Sequence, residues 1–179
     1  MHDSSRPLAV AWRTTMSTDA VKRKAIGKCT SAGCHGMSQT EPDAGSDPAS
    51  MRTRAVRDGD DYVINGYKRY ITAAGESQYA QLMAATDPEK GSKGGITCFI
   101  VDLAAKGVTV TKSWPNITGE SLYEIALDNV RVPAANIIGE VGQGFELGQK
   151  FLTEARIKSH GARSVGAAQR CLDMMVDYK

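Results

Sequence analysis

The 179-residue chain carries 22 Lys and Arg against 20 Asp and Glu, a formal net charge of +2, and 41% of its residues are hydrophobic. Basic side chains dispersed among nearly as many carboxylates argue against a nucleic-acid surface, and the length suffices for a substantial single core. No apolar run approaches the ~18 residues that a membrane-spanning helix needs.

Taken in chain order, residues 1–36 read as an amino-terminal segment, part short helix and part disordered. A helix is predicted over Asp19–Ile26, closed by Gly27, with Lys22, Arg23, Lys24 and Lys28 as a solvated basic face. Arg6 and Arg13 among Ser and Thr give a faint likeness to a mitochondrial transit peptide, which the helix reading outweighs, and no secretory apolar core is present. Cys29, Cys34 and His35 have a spacing compatible with zinc, but a fourth ligand would have to come from as far away as Cys98 or His160. Reduced thiols are the favoured reading, and no metal is assigned.

Residues 37–135 read as a β-domain. The stretch Gln39-Thr40-Glu41-Pro42-Asp43-Ala44-Gly45-Ser46-Asp47 is dense in turn formers, so a strand ending near Thr40 passes into a tight loop able to bind a polar ligand. Asp43 and Asp47 are solvated or capping groups there, not an acid/base pair. Strand-like runs follow at Arg52–Arg57 and Asp61–Thr72, separated by an Asp58-Gly59 hairpin turn, then at Tyr79–Thr86, Gly95–Asp102, Gly107–Lys112 and Ser121–Val132. Cys98 reads as a buried strand residue. Closely spaced strands with turn-rich connections imply an antiparallel barrel or sandwich, not a parallel sheet.

Residues 136–179 change period. Phe145, Gly148, Leu152, Ala155, Ala162, Val165, Ala168, Leu172 and Met175 recur at helical spacing, which predicts one or two amphipathic helices and an α+β class for the whole. Gly142-Gln143-Gly144 is not a dinucleotide fingerprint, because the next glycine is Gly148 and no parallel βα unit surrounds it.

The loop from Gln39 to Asp47, followed by Asn65-Gly66-Tyr67-Lys68-Arg69-Tyr70-Ile71-Thr72, Asp128-Asn129-Val130-Arg131-Val132-Pro133, Ile138-Gly139-Glu140, Gly142-Gln143-Gly144-Phe145 and Glu154-Ala155-Arg156, resembles the acyl-CoA dehydrogenase family in order and separation. The resemblance runs from about Met37 to Lys179. It implies the family's middle β-domain plus the start of its carboxy-terminal helical domain, in a chain that looks incomplete. It further implies FAD as hydride acceptor in the α,β-dehydrogenation of an acyl-CoA thioester. The alternative is a non-catalytic relative that serves as a binding or assembly module.

By resemblance, Met37, Gln39, Thr40, Ser46, Tyr70, Ile71 and Thr72 are the cofactor-binding set. Tyr70 stands where the family usually has Trp against the flavin, and Thr72 supplies a hydroxyl to the ring nitrogen that receives the hydride. A flavin needs such a flat wall and edge partners. Ser46, Thr153 and Arg156 match positions that touch the thioester ligand. The family's usual base lies beyond this chain, its minority base aligns with Ala155, and Glu154 is rotated by about 100° from that direction, so no catalytic residue is assigned. An electron-transfer flavoprotein, a homo-oligomeric assembly and a bacterial cytoplasmic or mitochondrial-matrix location are further expectations.

Overall fold

A computed structural model describes residues 37–117, 119 and 121–178. The Asp19–Ile26 helix and the Cys29, Cys34 and His35 cluster lie outside these residues. The chain divides into two compact units with the boundary at Phe145/Glu146.

Among the described residues eight strands form one sheet: β1 (Met37–Ser38), β2 (Arg54–Asp58), β3 (Asp61–Thr72), β4 (Tyr79–Ala85), β5 (Ile96–Asp102), β6 (Val108–Pro115), β7 (Ser121–Pro133) and β8 (Ile137–Ile138). Their order is β6-β7-β3-β2-β4-β5-β8, with β1 beside β4, so the sheet is open. The β2–β3, β3–β7, β4–β5, β5–β8 and β6–β7 pairings are antiparallel, as the turn-rich connections imply. Two short parallel pairings were not legible: Met37 and Ser38 lie against Gln81 and Leu82, and Arg54 lies against Ala85. Strands of two residues carry no alternation to detect.

The hairpin turn sits one residue later than the sequence suggests. Asp58 pairs with Asp61, leaving Gly59 and Asp60 as the turn, and Gly59 supplies the positive φ of 63° that such a turn favours. The core includes Ile64, Leu82, Phe99, Val101, Ile125 and Val130, almost fully buried, and β5 is buried from Ile96 to Val101. Cys98 is buried on β5, and burial pushes its thiol up to about 12, the behaviour of an inert core residue.

In the second unit, the helical stripe becomes one helix of 34 residues, α1 (Gly144–Asp177). Among the described residues no helix is long and apolar enough to cross a membrane, and no cluster of His, Cys, Asp and Glu could hold a metal ion.

Candidate functional site

The Gln39–Thr53 segment is an excursion from a single strand line. β1 and the start of β2 run parallel to the same edge of β4, at Gln81–Leu82 and at Ala85, and the Ala85 amide donates to the Thr53 carbonyl at 2.9 Å. The residues between leave the sheet and return three positions further along β4. Within the excursion, Glu41 and Ala44 close a tight turn through reciprocal backbone hydrogen bonds of 3.0 and 3.3 Å. Asp47 accepts from the Ala49 amide at 3.1 Å and caps a short 3-10 turn over Pro48–Ser50. Asp43 faces Arg52 at 3.0 Å on the surface. Both aspartates therefore behave as capping and solvated groups.

A buried ion pair fastens the stem of this loop. Glu41 accepts from the Arg52 amide at 2.6 Å and the Thr53 amide at 3.1 Å, and its Oε1 lies 2.8 Å from Lys68 Nζ. Lys68 is fully buried and also donates to the Gln39 carbonyl at 3.3 Å. Burial pushes the Lys68 ammonium down, from 10.5 to about 8, against the pull of Glu41. Burial also pushes the Glu41 carboxyl up, but the Lys68 charge and hydrogen bond, with the Thr53 and Arg52 hydrogen bonds, win and hold it below its ordinary 4.5. Sequence reasoning missed this pair. Its signal was present, since Lys68 is in phase with Tyr62 and Ile64 on the core side of β3, where a cation needs a partner.

The second segment meets the first at the end of β3. The Arg69 amide donates to the Thr40 carbonyl at 2.9 Å, which places Thr40 beside the Tyr70-Ile71-Thr72 triplet. Across β7 the register slips here: Lys68 faces Ile125 and Ile71 faces Tyr123, so Arg69 and Tyr70 together oppose Glu124. Such a bulge re-aims a side chain. Tyr70 takes a left-handed φ of 59° and is 52% exposed as a residue, while Ile71 remains in the core. Glu124 anchors the bulge by accepting from the Tyr67 hydroxyl and from Arg69 Nε at 2.6 Å, interactions that hold its carboxyl below the ordinary range against the effect of burial.

Of the predicted residues, Met37, Gln39 and Thr40 thus lie on the segment that crosses β3 next to Tyr70, Ile71 and Thr72. Gln39 is buried with Ser38, and the Thr40 and Thr72 hydroxyls have no hydrogen-bond partner among the described residues. Ser46 is exposed at the loop tip. Thr153 and Arg156 lie on α1 in the second unit, and the side chain of Arg156 is outside the described residues. The first-unit features suit a flat ring with a polar edge: an exposed tyrosine lies where the Thr40 segment crosses β3, two residues before Thr72.

Residues 36–130 match the family described as "Acyl-CoA dehydrogenase, middle domain". A probable acyl-CoA dehydrogenase of Mycobacterium leprae is 43% identical over 141 residues, covering 78% of this chain and 36% of the relative. A cyclohex-1-ene-1-carbonyl-CoA dehydrogenase of Geobacter metallireducens is 43% identical over 144 residues, covering 79% of this chain and 37% of the relative. Among solved structures, a glutaryl-coenzyme A dehydrogenase in complex with glutaryl-CoA superposes with a TM-score of 0.83 at 33% identity, covering 96% of this chain and 44% of that one. The chain thus spans a little over a third of the length of these curated relatives.

Proposed function

Because the chain belongs to the acyl-CoA dehydrogenase family, we propose that its first unit holds the isoalloxazine ring of FAD against Tyr70 and serves the α,β-dehydrogenation of an acyl-CoA thioester. FAD supplies the hydride acceptor when bound. The observation that carries the reading is the bulge at Arg69–Tyr70, which turns an aromatic ring out of the sheet beside Thr40. Thr40 and Thr72 would donate to the polar edge of the ring, and Met37, Gln39 and the backbone at Ile71 would frame it. The buried Glu41–Lys68 pair keeps the Thr40 segment against β3, so the wall and the edge hold one geometry before any ligand arrives.

Ser46, Thr153 and Arg156 are assigned to the thioester by resemblance alone, and no residue is assigned as the base that takes the α-proton. An electron-transfer flavoprotein is the proposed electron acceptor. The test is an FAD titration of the purified chain followed by flavin fluorescence. Saturable binding that Thr72→Val weakens about 2- to 12-fold, the worth of one hydrogen bond, supports the reading. Equal affinity in the chain and in a Thr40→Val/Thr72→Val double variant removes it.

A further inference from the structure

We infer that Trp114 is a positioning residue for Tyr70, packing against its ring so that this ring keeps the orientation in which it meets the flavin. The inference rests on the flavin reading above and deepens it. Trp114 lies on β6, the strand at one edge of the sheet, and Tyr70 lies two strands away on β3. Two side chains separated by β7 would ordinarily stand ~10 Å apart, because neighbouring strands are spaced by ~4.8 Å. Here the ring centroids are 5.1 Å apart with planes tilted by 49°.

The sequence achieves this with two bulges that face each other across one residue. On β3, Arg69 and Tyr70 oppose Glu124; on β6, the register against β7 slips between Val110 and Lys112, so Thr111 is the extra residue beside the same Glu124. Each bulge turns the following part of its strand, and both sit at the point where the two rings converge. A polar network fixes the pair of bulges: Glu124 takes Arg69 Nε and the Tyr67 hydroxyl, and that hydroxyl shares a 3.0 Å hydrogen bond with Thr111 Oγ1. Lys112 Nζ stands 4.8 Å over the Trp114 ring, and the Arg69 guanidinium 5.8 Å from the Tyr70 ring. Each ring thus has one cation within cation–π range.

An exposed tyrosine with two rotatable side-chain bonds samples several rotamers, and an aromatic neighbour at this distance selects one. The chemistry recognised is that of an extended, flat, electron-poor ring, which stacks on the electron-rich tyrosine face.

The full chain contains only two tryptophans, Trp12 and Trp114, so Trp12→Phe leaves Trp114 as the single indole reporter. Addition of FAD should quench its emission saturably, with the same midpoint as the flavin signal. Trp114→Ala should weaken FAD about two- to tenfold and shift the flavin absorption bands, while Trp114→Phe restores most of both, all at unchanged melting temperature. FAD binding by Trp114→Ala with unaltered affinity and spectrum, while Tyr70→Ala weakens it, overturns the role of Trp114 and leaves the flavin reading standing. A wild-type chain that binds no FAD overturns both.

Discussion

Lys68 is the buried cation that ties the stem of the Gln39–Thr53 loop to β3. Removing one partner of a buried ion pair leaves an uncompensated charge, so Lys68→Met should cost about 3–5 kcal/mol of stability, read by urea unfolding. A double variant, Glu41→Gln with Lys68→Met, should recover part of that loss, because no charge is left stranded. Both folded-state values lie below the ordinary ones, so at both ends the folded protein binds fewer protons than the unfolded chain and stability rises with pH. Glu41's contribution is fully present above pH 4.5 and declines as the pH falls through its lowered value. Lys68 adds a second rise between about pH 8 and 10.5. Unfolding midpoints measured across pH should show the alkaline rise in the wild type and lose it in the double variant. Thr53 makes the opposite case. Among the described residues its buried hydroxyl has no hydrogen-bond partner, Thr53 reaching Glu41 through its amide, so Thr53→Val should raise stability by about 1 kcal/mol in the same unfolding assay.

At the scale of elements, long strands were legible and short ones were not. β3 and β7 announce themselves through β-branched and aromatic runs, and their 12 and 13 residues set the register of the sheet. β1 and β8 have two residues each and exist because β4 and β5 present open edges to them. The candidate site was legible where it depends on local order, in the Gln39–Asp47 loop and the Tyr70–Thr72 triplet. It was hidden where it depends on register: Glu41 and Lys68 lie 27 residues apart, and the approach of Trp114 to Tyr70 requires two bulges that no periodicity displays. Gly66 shows how tightly register is enforced. A Cβ there would stand 2.6 Å from the Thr53 Cα and 2.4 Å from its hydroxyl, so β2 would have to move. Gly66→Ala should therefore lose about 1–3 kcal/mol in chemical denaturation, the usual cost of overpacking. A loss within experimental error would mean that β2 yields freely there.

Across the whole molecule, the two units differ in what stabilises them. The first has long-range strand pairing and a shared core, whereas α1 is stabilised along its own length by local hydrogen bonds. Native-state hydrogen exchange should therefore place the slowest amides at Tyr62–Ile64 and Ile125–Leu127 and faster ones along 160–177; uniform protection of both units would contradict this division.

The central claim is that a flavin ring lies where the Thr40 segment crosses the Tyr70 bulge. Amide chemical-shift mapping of the isotope-labelled chain titrated with FAD tests it most directly. The account predicts saturable perturbations concentrated at Gln39–Glu41 and Arg69–Ala73. Perturbations centred elsewhere, for example at the Arg54–Arg57 opening beside Pro88, or none at all, would contradict it.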